Sequence, residues 1–323
     1  MTTQPSAALI ELARRQEGLV SATQCDAHGV TAHVRGRLCR RGVWRRVVRG
    51  VFDTTPDLRR RWPARRRQAA LVGLLRYGPD AVAVGTSALT LLGVEGLPAT
   101  VVSEVALGPG QSRGLPPARA SETGPAGRAV RVRQFDVGAQ TMVVAGFKVV
   151  RPAWALAQAV PELPRRHAIA VMDSALNKGL VGENGLEEAR RLARGRRRVA
   201  RTHGWWQEAD GRAESPLETF GRLDCADNGV APDALQVEIV DDHGLLLGRG
   251  DMGWRCGAGS WLLAEFDGRE FHEDLGALLH DRYRQNEMQL EGRVRMLRFT
   301  YRDLAFPGQV AGTVRRALTG RPS

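Results

Sequence analysis

Apolar residues in the first 55 positions recur at helical spacing and then at strand spacing. A first helix is predicted over residues 8–13 and beyond, with Gly18 as its stop. A second helix can be capped by Ser21 or Thr23, and a third is predicted over Thr31–Arg41. A turn of sequence His-Gly separates the second helix from the third. This order is typical of a helix-turn-helix, whose last helix enters the major groove of DNA.

Basic residues accompany the third helix and the segment that follows it. Residues 43–52 interleave apolar and basic side chains around Gly50, which predicts a β-hairpin that would form a wing. Arginine can bond guanine edges through two N–H groups or hold phosphate. A wing used for protein contact is the alternative. The candidate nucleic-acid-binding residues here are Arg35, Arg37, Arg40, Arg41, Arg46 and Arg49, and His33 is expected to lie on the same exposed side of the third helix.

The run from Gly18-Leu19-Val20-Ser21 to Arg49-Gly50-Val51-Phe52 resembles the N-terminal winged-helix domain of AbiEi-type antitoxins. Those proteins are transcriptional autoregulators of abortive-infection systems. The resemblance is confined to this short segment and implies DNA binding, not catalysis. We therefore expect residues 1–55 to form a winged helix-turn-helix domain.

Residues 56–212 mix helical and strand patterns and are predicted to form an α+β connector domain. The region contains no phosphate-cradling glycine loop and no nucleophile motif, and its order of elements resembles the middle region of the same antitoxin-like proteins. Asn184 is predicted to cap the last helix before the arginine cluster at Arg191–Arg201. Predicted helices cover Pro63–Tyr77, Ser87–Leu92, Pro152–Ala159, His167–Asn177 and Asn184–Leu192, and predicted strands cover Val101–Leu107, Val130–Phe135 and Thr141–Val150.

Residues 213–323 are predicted to form a mixed sheet flanked by helices. In the first helix, Ala213–Leu223, Ser215 can act as N-cap and Pro216 fits the first turn. Glu218 then completes a Ser-x-x-Glu capping box, which would explain this carboxylate without any function. The remaining predicted elements are strands over Gln236–Val240, Leu245–Trp254, Trp261–Phe266 and Val294–Thr300, and a final helix over Gly308–Leu318.

Carboxylates stand at the ends of two of these predicted strands. Asp251 lies on the second strand, and the apolar third strand finishes with Glu265-Phe266-Asp267-Gly268. An apolar strand that ends in carboxylates is not a packing pattern, and carboxylates that converge are costly unless a cation joins them. The sequence therefore predicts a Mg²⁺ (or Mn²⁺) site.

The spacing of these acids resembles the PD-(D/E)xK nuclease superfamily, and within it the domains related to very-short-patch repair endonucleases. The likeness extends over residues 213–318, and the run Glu-Phe-Asp-Gly-Arg-Glu-Phe-His from Glu265 matches the signature of that subgroup. By this resemblance Asp251 is the motif's aspartate and Glu265 its acidic partner. Glu218, less securely Glu214, matches the acid on the first helix.

The resemblance also implies roles for these residues. Asp251, Glu265 and the backbone carbonyl of Phe266 would hold the metal ion, and Glu218 would orient a metal-bound water. Asp267 and His272 would lie near the site, where His272 could act as a general acid or base or be a plain surface histidine. Arg282, Arg284 and Asn286 would form a basic helix beside the centre, with Arg284 on the phosphate.

Three positions depart from the superfamily pattern. Gly250 replaces the motif's proline, and Asp267 replaces the lysine that would help to activate water or stabilise the charged phosphorane. An aspartate cannot supply that positive charge, and His272 or Arg269 could supply it instead. Gln285 stands where an aspartate is expected.

Charge distribution adds to this interpretation. Residues 1–70 hold 15 arginines and five acidic residues, a net charge of +10 in a chain whose total is +12. A basic excess at one end is expected of a nucleic-acid-binding module, with a solvated arginine-rich surface as the alternative. The four cysteines are scattered and suggest neither a zinc site nor a disulfide framework. No signal peptide or membrane span is predicted, so we expect a cytoplasmic protein.

The sequence supports three competing functions. The first is a metal-dependent DNA endonuclease with a winged-helix targeting domain, in phage defence or repair. The second is an AbiEi-like antitoxin and transcriptional regulator whose nuclease fold is inactive, with a cognate toxin as partner. The third is a structural RNA-binding protein, for which the sequence offers least. Asp251 and Glu265 favour the first, and the missing lysine favours the second.

Overall fold

The computed structural model describes residues 5–108, 122–123, 129–134, 140–240, 243–257, 259–267 and 294–320. Contacts divide the chain into two units. The first comprises residues 1–163 and 180–206, and the second comprises residues 164–179 and 207–323. Each is a mixture of helices and β-sheet, as the α/β prediction requires. Over the described residues, no helix is long and apolar enough to cross a membrane.

The elements are numbered here in chain order over the described residues. The helices are α1 (Ala7–Arg15), α2 (Ala22–Ala27), α3 (Ala32–Arg40), α4 (Trp62–Tyr77), α5 (Gly85–Leu91), α6 (Pro152–Ala159), α7 (Arg165–Asn177), α8 (Glu183–Leu192), α9 (Pro216–Asp227) and α10 (Gln309–Thr319). The strands are β1 (Leu19–Ser21), β2 (Arg45–Val48), β3 (Val51–Asp53), β4 (Val82–Ala83), β5 (Ser103–Ala106), β6 (Glu122–Thr123), β7 (Ala129–Arg133), β8 (Thr141–Val144), β9 (Phe147–Val150), β10 (Ala234–Val240), β11 (Leu246–Cys256), β12 (Ser260–Asp267) and β13 (Val294–Thr300).

The first unit begins with three helices and a three-stranded antiparallel sheet in the order β1-β3-β2. The three predicted helices and the hairpin are present, and the short strand β1 was not predicted. Ser21 caps α2 through a complete capping box with Gln24. Trp44 and Phe52 from the hairpin pack on Leu9 of α1, so the hairpin and the helices share one core.

Arg35 was expected on the exposed side of α3, and this expectation is wrong. Its guanidinium is buried and donates to the carboxylate of Asp26 at 2.5 Å and to the carbonyl oxygen of Val30 at 2.6 Å. Arg35 lies three residues before the buried Leu38, so the two share the inward face of the helix. It joins α3 to the end of α2 and is not available to a ligand.

A six-stranded mixed sheet in the order β6-β7-β5-β4-β9-β8 forms the rest of the first unit, together with α4, α5, α6 and α8. The single strand predicted over Thr141–Val150 is wrong, because the chain turns back at Ala145 and Gly146, both with positive φ. Asn184 does not cap α8: Gly182 occupies the N-cap and the helix begins at Glu183.

The second unit has a four-stranded sheet in the order β10-β11-β12-β13, in which only the β12–β13 pair is parallel. The helices α9 and α10 cover one face, where Met252, Leu262 and Phe266 are buried against them. Leu263 and Val237 pack together on the opposite face. The predicted strand Val294–Thr300 is confirmed with the same bounds.

The helix α7 belongs to this unit and packs on α9. The fully buried carboxylate of Asp173 on α7 accepts hydrogen bonds from Thr219 and Arg222 of α9, both at 2.8 Å, and from the backbone N–H of Asp210 at 2.7 Å. This network fixes the orientation of α9, which carries Glu218.

Gly221 sets the distance between α9 and the sheet, and this generates a stability prediction. A Cβ at Gly221 would lie 2.2 Å from the ring of Phe266, whereas a Cβ at Gly312 of α10 would meet nothing closer than 3.7 Å. We expect Gly221→Ala to lower the free energy of unfolding by about 1–3 kcal/mol through overpacking. Gly312→Ala should raise it by about 0.5–1 kcal/mol through helix propensity. Urea denaturation of both variants measures this, and equal effects would contradict the proposed contact.

Candidate active site

The alternation of side chains between the two faces of the sheet is interrupted at one point in β10, and the candidate site lies there. Leu235 packs with the helix-side core, whereas Val237, two residues later, packs on the opposite face. Residues two apart in a regular strand share a face. The irregularity is at Gln236, whose φ is +53°. A left-handed backbone is costly for a residue with a Cβ, and such conformations cluster at functional sites. We call this point the kink at Gln236.

Glu218 is buried at the start of α9 and points to the kink. Its Oε2 accepts hydrogen bonds from the backbone N–H of Glu214 at 2.9 Å and from Nε2 of Gln236 at 2.8 Å. The expected capping box is half formed. Ser215 Oγ accepts from the Glu218 N–H, but the Glu218 carboxylate accepts from Glu214 and not from the backbone of Ser215. Burial, and then the nearby charge of Asp251, raise the pKa of Glu218 to about 7.

Asp251 lies opposite the kink, where β11 begins to separate from β12. The last paired residues of these strands are Met252 and Ala264, and Asp251 Oδ2 accepts a hydrogen bond from the N–H of Phe266 at 2.7 Å. Burial raises the pKa of Asp251, and the charges of Glu214 and Asp267 add to that effect. The Phe266 N–H bond and the charge of Arg249 act in the opposite direction.

Four of the predicted acids are therefore electrostatically coupled in this region: Glu214, Glu218, Asp251 and Asp267. The first of them, Glu214, is half exposed and forms an ion pair with Arg249 at 2.8 Å. Asp267 is exposed at the end of β12. The structure thus brings together acids from a helix and two strands that are far apart in the sequence.

Glu265 has a different environment from the one expected of a metal ligand. Arg298 is its direct neighbour in the parallel β12–β13 pair, and the two side chains form an ion pair at 3.1 Å. The ring of Phe266 belongs to the helix-side core, where it packs 5.4 Å from the ring of Phe299. The predicted residues His272, Arg282 and Arg284 lie outside the described residues, as do Arg269, Gln285 and Asn286.

Two features bear on whether this site suits a divalent cation. Among the described residues, no group of three or more His, Cys, Asp and Glu side chains is arranged to hold an ion. However, Oε1 of Gln236 is buried beside Glu218 and has no hydrogen-bond partner in the described part of the chain. Uncharged and carboxylate oxygens are the ligands that Mg²⁺ prefers, and adjacent carboxylates with raised pKa values favour a cation. The chemistry of the donors therefore fits Mg²⁺.

Glu218 differs from the other buried acids of the protein. Four carboxylate residues are buried among the described residues: Asp53, Glu104, Asp173 and Glu218. The first three each pair with at least one arginine, through Arg60, Arg133 and Arg222, respectively. Glu218 forms no ion pair with a described basic side chain; its partners are an amide and a backbone N–H. A buried carboxylate without a cation is costly and marks a candidate functional group.

Sequence reasoning missed two residues of this site. Gln236 was assigned only as the start of a predicted strand, and its positive φ leaves no sequence signal. Arg249 could have been found, because it stands two residues before Asp251 on the same strand, where a period of two places both on one side.

A second candidate site is the basic surface of α3 and the hairpin in the first unit. Arg40, Arg41, Arg46 and Arg49 are exposed, and Arg37 is partly buried. The Arg46 guanidinium lies 5.9 Å from the centre of the Phe52 ring, which supports this side chain at the surface. With Arg35 removed from the predicted set, five of the six expected arginines of this segment are still accessible to a phosphate.

The raised pKa of Glu218 predicts a pH-dependent stability. Between pH 4.5, the ordinary pKa of the carboxyl group, and pH 7, the folded state binds more protons than the unfolded state. In EDTA the free energy of unfolding should therefore fall as pH rises through this window, by about 3 kcal/mol. Glu218→Gln should remove most of that decline. Glu238→Gln, an exposed acid on β10, is the matched control and should retain it. Parallel curves for all three proteins would show that Glu218 titrates normally.

Comparison with known proteins identifies two relatives. Both are uncharacterized proteins of Mycobacterium tuberculosis, one from strain CDC 1551 / Oshkosh and one from strain ATCC 25618 / H37Rv. Each is 33% identical over 153 residues, which are 47% of this chain and 55% of the relative. The chain thus spans about half the length of the curated relatives that it matches. No protein-family model matches the chain.

Proposed function

We propose that the protein is a metal-dependent DNA endonuclease that hydrolyses phosphodiester bonds. The observation that carries this proposal is the burial of Glu218 beside Asp251 at the kink at Gln236, without a basic partner among the described residues. The two carboxyl groups come from a helix and a strand, in the arrangement that the resemblance to the PD-(D/E)xK superfamily implies. The second unit would accordingly have a restriction-endonuclease-like fold.

The metal ion would be Mg²⁺ or Mn²⁺, held by Asp251, Glu265 and the backbone carbonyl of Phe266, and Glu265 would have to release its ion pair with Arg298 to bind it. Such an ion, when bound, lowers the pKa of water and neutralises phosphate oxygens. Glu218, with a pKa of about 7, is suited to accept a proton from the attacking water near neutral pH. The amide of Gln236 donates to Glu218 and so holds the carboxylate in one orientation.

The positive charge that the motif's lysine would provide has two candidate sources among the described residues. Arg249 lies close enough to Asp251 to lower its pKa, and Arg298 pairs with Glu265. Both side chains are almost half exposed, which leaves them accessible to the phosphate of a substrate. Arginine binds phosphate through two N–H groups, so either residue could stabilise charge that develops on the phosphate.

The first unit would bring DNA to the catalytic unit. Its N-terminal helices and hairpin have the order of a winged helix, with Arg40, Arg41, Arg46 and Arg49 exposed on α3 and the hairpin. These side chains would hold the phosphate backbone, and the exposed side of α3 would enter the major groove.

The alternative is an AbiEi-like transcriptional regulator, with a cognate toxin as partner and an inactive nuclease fold. One observation favours it specifically. Glu265 is neutralised by Arg298, and Asp267 stands where the motif has lysine, so the site could have lost its metal. Both proposals require DNA binding, and only the first requires Asp251 and a divalent cation.

Cleavage assays separate the two proposals. With supercoiled plasmid and Mg²⁺ or Mn²⁺, we expect nicking that EDTA abolishes and that Asp251→Asn lowers by at least about 100-fold. Gln236→Leu should lower it by about 10–100-fold, as expected for a residue that positions another. Because the variant loses a hydrogen bond to the charged form of Glu218, the acid limb of its pH–rate profile should move to higher pH. Glu238→Gln should cleave like the unaltered protein.

Equal cleavage by the unaltered protein and Asp251→Asn would indicate a contaminating nuclease. No cleavage with either metal, together with tight binding to one palindromic DNA sequence, would favour the regulator. Wild-type cleavage by Gln236→Leu with an unchanged pH profile would remove Gln236 from the site but leave the nuclease proposal intact.

The DNA-binding role of the first unit makes a separate prediction. Arg40→Ala combined with Arg41→Ala should weaken binding to duplex DNA and lower the slope of log K against log[salt] by about 1.8, because two phosphate contacts are lost. The control combines Arg14→Ala with Arg15→Ala, which removes the same charge from α1, where both side chains pair with Glu11. Equal losses in both double variants would mean that only net charge matters.

A further inference from the structure

An arginine-rich segment at the start of α4 has no role in the functions proposed above. It contains two runs of three arginines, at residues 59–61 and 65–67, which flank Trp62 and Pro63. Pro63 lies in the first turn of the helix, where its fixed φ is favourable and its missing N–H costs no hydrogen bond. The sequence therefore concentrates six positive charges and one indole ring around the beginning of a single helix.

Three of these six arginines hold the first unit together. Arg60 donates a hydrogen bond to the buried carboxylate of Asp53 at 3.2 Å. Arg66 donates to a backbone carbonyl oxygen at 2.9 Å, and Arg67 donates to the carboxylate of Glu17 at 3.1 Å. The folded structure itself therefore explains one arginine of the first run and two of the second.

The other three arginines, Arg59, Arg61 and Arg65, have no such explanation. All three are exposed, and none of their side chains forms an ion pair or a hydrogen bond within the described part of the chain. Asp57, a nearby acid, is exposed and pairs with none of them. Arg61 and Arg65 lie one helical turn apart and repel each other, and the positive end of the helix dipole adds to this repulsion. An anionic partner would relieve it.

Trp62 places an aromatic ring among these unpaired charges. All seven tryptophans lie in the described part of the chain, and Trp62, at 52%, is the one that is exposed. Arg65 follows it by three residues on the helix, so the indole and this guanidinium are neighbours at the surface. A flat apolar ring thus lies beside cationic groups. We call the four residues Arg59, Arg61, Trp62 and Arg65 the Trp62 surface.

The buried carboxylate of Asp53 connects the Trp62 surface to the proposed DNA-binding hairpin. Its Oδ1 accepts from Arg60, before α4, and its Oδ2 accepts from Arg45 of β2, both at 3.2 Å. Arg60 also donates to Oγ1 of Thr55 at 2.6 Å, which fixes the loop that precedes the helix. The start of α4 therefore lies beside β2, and the Trp62 surface adjoins the basic surface of the hairpin.

An exposed ring beside unpaired arginines favours one class of partner. Proteins bind single-stranded nucleic acid by stacking its bases on aromatic rings and by attracting its phosphates with basic side chains. The bases within a duplex already stack on one another, whereas an unpaired base has a free face for the indole. An anionic membrane also attracts arginine, but a helix that lies on a membrane needs an apolar face. The large apolar residues Leu71 and Leu74 of α4 are buried within the fold.

We propose that the Trp62 surface binds single-stranded DNA, at an end or an opening of the duplex that the hairpin holds. Trp62 stacks on one unpaired base, and the arginines pair with the phosphates on either side of it. Stacking tolerates every base, so this surface recognises the unpaired state of the strand and not its sequence. The proposal rests on the DNA-binding role of the first unit and is independent of the metal site.

The test measures binding by the full chain in EDTA, where the proposed nuclease cannot cleave its probe. The probes are a short thymidine deoxyoligomer, a uridine ribo-oligomer, a duplex of equal length, and vesicles of phosphatidylcholine and phosphatidylglycerol. Trp62→Leu should weaken binding of the thymidine oligomer by about 10–100-fold and leave binding of the duplex nearly unchanged. Trp62→Phe, which retains a ring, should bind the oligomer almost as the unaltered protein does.

Three further measurements complete the test. Arg61→Ala combined with Arg65→Ala should lower the slope of log K against log[salt] for the thymidine oligomer by about 1.4, because each phosphate contact on a single strand contributes about 0.7. Phe306→Leu, the matched control, removes a 70% exposed ring from the second unit and should bind normally. In the unaltered chain, the oligomer should protect tryptophan fluorescence from quenching by acrylamide. That last result does not depend on a variant that folds.

Several outcomes would overturn the proposal. Duplex binding without binding or fluorescence protection by the thymidine oligomer would remove the Trp62 surface but leave the DNA-binding role of the hairpin. Absence of both would contradict that role as well. Unchanged oligomer binding by Trp62→Leu, or an equal loss in Phe306→Leu, would place the strand elsewhere. Equal losses of oligomer and duplex would make Trp62 part of the duplex surface. Tighter binding of the ribo-oligomer would indicate RNA, and Trp62-dependent binding to vesicles alone would indicate a membrane.

Discussion

The burial of two neighbouring carboxyl groups is the electrostatic constraint that the candidate site of the second unit has to satisfy. Glu218 and Asp251 both lose hydration, and this burial raises the pKa of each. The charge of Asp251 raises the pKa of Glu218 further, and the charges of Glu214 and Asp267 raise that of Asp251. A protein can tolerate such a pair by protonating one member or by binding a cation. Three hydrogen bonds offset part of the free-energy cost of burying these charges. The Glu214 N–H and the Gln236 amide donate to Glu218, and the Phe266 N–H donates to Asp251. Protonation of Glu218 would therefore compete with binding of the proposed cation.

The close approach of α9 to the sheet makes this burial possible. Gly221 faces the ring of Phe266 with no room for a Cβ, and Glu218 lies one turn earlier on the same helix. Residues three apart share a face, so the helix that presses Gly221 onto Phe266 also presses Glu218 onto the sheet. The Asp173 network fixes α9 from the other side. The position of one carboxylate thus follows from a glycine, an aromatic ring and a buried aspartate.

Sequence patterns predicted the elements that carry the site better than the contacts within it. The strands β12 and β13 and the helix α9 follow from apolar periodicity and from Ser215 and Pro216 at a helix start. The two-residue strand β4 has no periodicity to detect, and the turn at Ala145 and Gly146 divides an apolar run that alone predicts one strand. Arg35 was misplaced because its charge was given more weight than its position three residues from Leu38. The Glu265–Arg298 pair depends on the register of parallel strands, which local sequence does not encode.

The arginines of the chain indicate which buried acids are structural. Asp53, Glu104 and Asp173 each hold distant segments together through a guanidinium, and in each case the charge is neutralised within the fold. In a chain with 47 basic residues, arginine was available for Glu218 as well. Arg249 lies close enough to affect Asp251, yet it pairs with Glu214 at the surface. An arginine on Glu218 would lower its pKa and occupy the oxygens that a cation or a water molecule needs. Among the described residues no guanidinium occupies that position, which agrees with the proposed role of Glu218 as a proton acceptor.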